Sequence, residues 1–328
     1  AYNCVGIGNV FERVVLPEDP TKGDLNTLRD ATTREFHVYD AMRFGGGWSL
    51  WLGARHTRLE RSSERTDGSR AVAYEQSLTT PWAALGWQPW QGGFVYVSAG
   101  SGVETEVVPN RPTVYANYGE VLPALRSRQA ELGFKQVLQG AGLFSVALFQ
   151  IEKPYADDVE RDDGLLLRVP DGREFRHRGL ELAWAGRPLP SLLLQAQATL
   201  IDSDRIRSLD AGLLGASATN VAPFTASLVA GWQVPGADGL VWTNRLFYSS
   251  RKPVTEDNSV KLPSFWQLDT ALSWQQRAGD GTALTWRLGV DNVFDRRYWR
   301  EAPTQYWGGT YLLPAAPRTV RASLQISF

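Results

Sequence analysis

Residues 318–328 read RTVRASLQISF. From Thr319 onward the alternation has no break. Thr319, Arg321, Ser323, Gln325 and Ser327 are polar, whereas Val320, Ala322, Leu324, Ile326 and Phe328 are apolar. Period-two alternation is the pattern of a strand with one apolar and one wet face. At ~3.3 Å per residue, roughly 11 residues reach about 36 Å, and a tilt of about 40° leaves a rise of about 28 Å, close to the apolar band of a membrane barrel.

The same alternation recurs upstream. FWQLDTALSW sets Trp266, Leu268, Leu272 and Trp274 against Gln267, Asp269, Ser273 and Gln275. TALTWRLGVD sets Leu284, Trp286, Leu288 and Val290 against Thr285, Arg287, Gly289 and Asp291. PFTASLVAGWQV, SLLLQAQATL and RQAELGFKQ behave alike, while LFSVALFQI is apolar on both faces. The opening YNCVGIGNVF also reads as a strand.

Connections sort by length. Short Gly/Pro turns fall at 45–47, 88–93, 139–142, 186–190, 235–239 and 277–281, and long polar loops at 17–31, 61–70, 100–126, 153–171, 201–220, 250–262 and 301–317. Seven long and six short connections in strict alternation join about 14 strands, the arrangement of an outer-membrane barrel with short periplasmic turns and long outer loops. A soluble sandwich has no reason to sort its loops by end, and no propeller period repeats. The expected fold is therefore all-β, an antiparallel transmembrane β-barrel, with apolar faces toward lipid and polar faces lining a wet lumen.

Composition narrows the functions. The 328 residues carry 34 basic and 35 acidic side chains, a balance that gives no electrostatic case for nucleic acid. The lone Cys4 forms no internal disulfide, and His37, His56 and His177 lack metal-ligand spacing. Thirteen Trp and 11 Tyr suit interfacial girdles. No run of about 18 apolar residues exists, so no transmembrane helix is expected. GxSxG, Walker, GxGxxG and HExxH motifs are absent, and no enzyme, catalytic residue, metal or cofactor is expected. Asp202 and Asp204 of IDSDR read as solvated loop carboxylates.

Several ordered segments resemble one family. GVDNVFDRRYW, carrying Asn292, Phe294, Asp295 and Tyr298, is similar to a signature on the penultimate strand of TonB-dependent outer-membrane receptors. FRHRGLELAWAG, with Gly179 and Glu181, resembles that family's strand after a long loop. VLPALRSRQAELGFK and TPWAALGWQPWQGGFVYVSAGSG resemble two further segments, although Ala124 and Ala130 replace an acidic and an aromatic residue. ALFQIEKPY resembles the ferric-siderophore branch, and terminal Phe328 resembles the signal read by the barrel assembly machinery.

The resemblance spans residues 1–328 and implies the C-terminal part of a larger barrel of about 22 strands. The N-terminal plug, the energy-coupling box and the first strands are expected to lie outside this chain. The implied function is import of ferric siderophores across the outer membrane of a Gram-negative bacterium. Implied partners are a ferric siderophore, outer-membrane lipid, the barrel assembly machinery and, only through the plug, the TonB complex. A siderophore carries its own iron chelation, so the receptor needs an aromatic and cationic bowl rather than metal ligands. Loop candidates for that bowl are Tyr115, Tyr118, Tyr155, Arg161, Trp299, Arg300, Tyr306, Trp307 and Tyr311. Two alternatives stand beside this one: an independently closed passive channel, and a soluble β-rich binding module or hydrolase.

Overall fold

The computed structural model describes residues 27–279, 281–303 and 310–328. Its strands are β1 (Thr27–Arg43), β2 (Trp48–Arg65), β3 (Val72–Trp87), β4 (Gly93–Glu104), β5 (Leu125–Leu138), β6 (Gly142–Glu160), β7 (Leu166–Leu189), β8 (Leu192–Arg207), β9 (Phe224–Gln233), β10 (Leu240–Ser249), β11 (Lys252–Pro253), β12 (Lys261–Leu262), β13 (Phe265–Ala278), β14 (Thr282–Asp291), β15 (Trp299–Glu301), β16 (Leu313–Pro314) and β17 (Thr319–Ser327). Thirteen of them form one antiparallel sheet in chain order, β1 to β10 followed by β13, β14 and β17. The pairs β11–β12 and β15–β16 are small hairpins inside long connections. The expected strand in YNCVGIGNVF, and Cys4 with it, lies outside the described residues. No described helix is long and apolar enough to cross a membrane.

Register aligns the apolar faces. Leu50, Leu85, Val97, Leu132, Leu148, Leu180, Leu200 and Phe224 form a continuous cross-strand row from β2 to β9. A second row runs Trp232, Trp242, Leu272, Leu288 and Ala322 from β9 to β17. These side chains stay open: Leu148 is 53% exposed, Leu132 51% and Leu288 49%. A sheet in water buries such a face against a second layer. No second layer covers it among the described residues, so this face fits hydrocarbon.

Aromatic residues mark both margins of the apolar face. At the short-turn end Trp48 stacks on Trp87 at 5.6 Å, and Trp90 meets Phe134 at 6.1 Å. At the other end Phe294 packs edge-on against Trp266 at 5.2 Å, with Arg296 over the indole. Trp266 and Trp274 share the outer face of β13 eight residues apart (274 − 266), ~26 Å along the strand and ~20 Å once tilted by about 40°. Indoles at that spacing bracket a hydrocarbon layer and hydrogen-bond at its edges.

Loop sorting is clear, with one difference from the sequence pattern. Of two expected long loops, 61–70 is half strand and 153–171 mostly strand: β2 pairs to Arg65, and β6 pairs with β7 out to Glu160↔Leu166. Pairing carries these hairpins above the apolar rows, because Arg, Asp and Glu there can stay hydrated on both faces. Asp202 and Asp204 likewise lie on β8 rather than in a loop, on the outer face beyond Leu200.

On the inner face, glycine accommodates aromatic neighbours. Gly179 lies beside Phe149, and a Cβ there would enter that ring and the Leu200 carbonyl. Gly179→Val should cost about 1–3 kcal/mol through overpacking. The expected result is a smaller fraction of heat-modifiable, folded protein on unboiled gels. Wild-type mobility and yield would show that the wall can shift.

Candidate functional site

The long-loop half of the inner wall carries an aromatic and cationic shelf built from adjacent strands. Alternation puts Lys153 and Tyr155 of β6 on the inner face, with Arg173, Phe175 and His177 of β7 and Arg205 of β8. Register places Tyr155 opposite Arg173, Lys153 opposite Phe175, and Phe175 opposite Arg205.

The rings form a short ladder. Phe175 meets Tyr155 edge-on at 6.0 Å and stacks on His177 at 6.2 Å and 15°. Cations lie over two of the rings: Lys153 and Arg173 over Tyr155 at 5.1 and 5.6 Å, Arg205 over Phe175 at 5.1 Å. Such contacts gain strength where water is excluded.

Acidic partners are fewer than cations. Lys153 pairs with Glu104 at 2.5 Å. Arg173 and Arg205 share one carboxylate, Glu256, at 3.1 and 3.0 Å. Arg205 is only 3% exposed. Arg173 Nε, Arg205 Nε and His177 Nδ1 are buried without a hydrogen-bond partner. Buried polar atoms are normally satisfied. A shelf of ring faces, surplus positive charge and unused N–H groups suits a flat or anionic ligand group.

The expected bowl residues scatter around this shelf. Tyr155 is part of it. Tyr115 sits in the core of loop 105–124 with Val108 and Leu122, where its hydroxyl accepts from Arg168 at 2.9 Å and donates to Asp158 at 3.3 Å. Burial pushes the Tyr115 phenol above its usual range, and Asp158 adds to the rise against opposing Arg168. Tyr118 is exposed nearby. Arg161 pairs with Asp163 at the β6–β7 tip, 3.2 Å away. The Leu165 backbone N–H, then Arg161, hold that carboxyl below its ordinary range. Trp299 and Arg300 lie on β15, where Arg300 faces Glu301 at 3.6 Å. Tyr311 is exposed, its N–H donating to the Pro303 carbonyl. Tyr306 and Trp307 lie outside the described residues.

The NVFDRRY segment forms a structural knot. Asn292 is 2% exposed and left-handed at φ 51°. Its Nδ2 donates to the carbonyls of Arg296 and Ala316 at 2.9 and 3.1 Å, and its Oδ1 accepts from Arg296 N–H at 2.9 Å. Asp295 Oδ1 accepts from Arg318 N–H just before β17. Tyr298 stacks on Phe265 at 3.9 Å and hydrogen-bonds Gln267. Glu181 is exposed on the inner face of β7, two residues beyond Gly179. Phe328 is fully open at the sheet margin.

Phe175, Arg173 and Arg205 escape sequence inspection because register, not local pattern, brings them together. The available signal was the inner-face alternation in KPY and REFRH, without its cross-strand partner.

An antiparallel sheet with an apolar outer face, a polar inner face and loops sorted by end is a wall of an outer-membrane-type barrel. Residues 11–293 match the family described as TonB dependent receptor-like, beta-barrel, and the chain belongs to that family. Barrels of this family are outer-membrane proteins of Gram-negative bacteria, and its members are transport receptors rather than enzymes.

The chain is 28% identical over 288 residues to the ferrichrome receptor FcuA of Yersinia enterocolitica, covering 85% of this chain and 36% of that protein. It is 22% identical over 328 residues to the metal-pseudopaline receptor CntO of Pseudomonas aeruginosa, covering 95% and 43%. Its fold is similar to BauA, the ferric preacinetobactin receptor from Acinetobacter baumannii, with TM-score 0.76, 24% identity and 92% and 44% coverage. The siderophore receptor PiuA from the same organism gives TM-score 0.70, 21% identity and 91% and 44% coverage. The chain thus spans less than half the length of each.

Proposed function

We propose that residues 1–328 are the C-terminal barrel portion of an outer-membrane receptor that imports ferric siderophores and catalyses no reaction. The observation that carries this reading is the Tyr155–Phe175–His177 ladder with its surplus arginines, on the inner wall of a sheet whose outer face is apolar. A ferric siderophore presents a bulky, often anionic chelate whose iron is already coordinated. Rings and guanidinium groups can grip such a shell without touching the metal. Among the described residues no three His, Cys, Asp or Glu side chains converge as a metal site requires.

The partners follow from the same reading. Lipid covers the leucine rows, the assembly machinery reads the strand ending at Phe328, and the TonB complex acts through a plug supplied by a segment other than these strands. Likeness to a ferrichrome receptor supports ferrichrome as the first ligand to try.

The test is uptake of radioactive iron in a receptor-deleted Gram-negative strain carrying the intact protein. Iron is presented as hydroxamate, catecholate or carboxylate chelates. One chelate class should be taken up in an energy-dependent manner. Uptake of none, together with steady ion conductance in planar bilayers, would overturn import and favour a passive channel.

A further inference from the structure

A polar chain crosses the apolar outer face near its middle. Alternation puts Asn244 on that face between Trp242 and Leu246, and register sets it opposite Thr270 of β13 and Ala230 of β9. Thr270 stands four residues from Trp266 and four from Trp274 (270 − 266 and 274 − 270), midway between the two indoles that bracket the hydrocarbon. The Trp242 indole Nε1 donates to Thr270 Oγ1 at 2.8 Å, and Thr270 Oγ1 donates to Asn244 Oδ1 at 2.9 Å. The chain of hydrogen bonds ends there. Asn244 Nδ2 carries two N–H groups with no acceptor among the described residues, and the side chain is partly open.

Depth makes this arrangement costly. Water satisfies an open amide on a soluble surface, but hydrocarbon holds no water to do so. Polar side chains inside a membrane face a partner or a wet cavity, and the outer wall of a barrel offers no cavity. Around Asn244 the outer-face residues Leu228, Leu246, Leu268 and Leu272 keep to the apolar rule. Barrel closure does not supply the partner, because β10 pairs along its length with β9 and β13 and lies inside the sheet, away from both margins. Lipid tails present no acceptor at this depth, and a neighbouring barrel has its backbone carbonyls committed to its own ladder. The missing acceptor is therefore a side chain of another membrane polypeptide.

We propose that this face docks a second copy of the chain, with Asn244 paired to the same residue of the partner across a two-fold axis along the membrane normal. A two-fold in that direction keeps both copies in one orientation and returns each residue at its own depth, so a residue near the middle can meet itself. A carboxamide is self-complementary: each Nδ2 donates to the other Oδ1, which keeps a second lone pair after accepting from Thr270. Ala230, directly across from Asn244, leaves room for close approach. The interface rests on the outer face being lipid-facing and needs nothing of the imported ligand.

The test is Förster transfer between donor- and acceptor-labelled copies of the intact protein in proteoliposomes, followed as added lipid dilutes the protein. Wild type should show transfer above random proximity, falling with dilution along a monomer–dimer curve. Asn244→Leu should need at least about tenfold higher surface density for the same transfer. It should also keep full heat-modifiable mobility, because it takes an unpaired amide out of hydrocarbon. Wild type that stays monomeric at every density overturns the proposal and leaves the amide to a different membrane protein. Unchanged association in Asn244→Leu overturns it too, and Asn244→Ala decides the matter in the same way if the leucine variant fails to fold. Iron uptake is a separate measurement, so failure here leaves the import reading standing, and failure of import leaves this interface standing.

Discussion

Asn292→Leu is expected to leave most of the protein unassembled, the largest stability effect in the chain. The Asn292 amide supplies two donors and an acceptor to three backbone groups: the Arg296 carbonyl, the Ala316 carbonyl and the Arg296 N–H. Each lost bond costs about 1 kcal/mol, and more where the freed group stays buried. Leucine would also have to hold φ 51°, which adds roughly 1–2 kcal/mol. The sum, about 4–5 kcal/mol, is a large share of the 5–15 kcal/mol typical of a folded domain. The knot ties the exit of β14 to the approach of β17, so its loss frees the last strand from its register. Asn292→Gly separates the causes, because glycine accepts the backbone and loses only the bonds. Heat-modifiable mobility should rank wild type above Asn292→Gly and Asn292→Gly above Asn292→Leu. Equal mobility of all three would show that the knot holds nothing.

Sequence alternation makes the sheet legible because a half-buried strand has one rule, and residues such as Leu272, Trp274, Leu288 and Leu324 obey it without exception. A one-residue slip would move every one of them to the wet face. Loop ends were harder to place. At 61–65 and 153–160 polar residues pair as strand because both faces are hydrated there, so alternation of hydrophobicity disappears while backbone pairing continues. The site was legible only in kind. The family resemblance implied aromatics and cations, and of the named candidates Tyr155 lies in the shelf. Arg205, however, meets Phe175 only through the β7–β8 register, just before a bulge, and meets Glu256 from a distant loop. No local motif encodes that meeting. Tyr115 resembles a bowl residue in sequence, yet its ring fills the centre of its own loop beside Leu122.

Arg205→Met should weaken binding of the chelate proposed as ligand by tenfold or more while leaving stability unchanged or raised, and this opposition of signs is the signature of a ligand-gripping residue. Arg205 is 3% exposed, and its Nε has no partner. Its one acidic neighbour, Glu256, is 51% exposed and retains Arg173 and water after the change. Keeping a guanidinium buried on those terms costs desolvation that a single half-solvated ion pair does not fully offset, and an apolar side chain of similar volume is often neutral or stabilising in such a place. Methionine also keeps an unbranched side chain over Phe175, where a sulfur–aromatic contact is favourable. A charge-assisted hydrogen bond to a ligand oxygen is worth about 1.5–3 kcal/mol, hence the tenfold or greater loss. Chelate affinity, followed by quenching of tryptophan fluorescence in the intact protein, and the unfolding midpoint are the two measurements. A marked fall in the midpoint would make Arg205 a structural residue. Unchanged affinity would remove the shelf from the binding site.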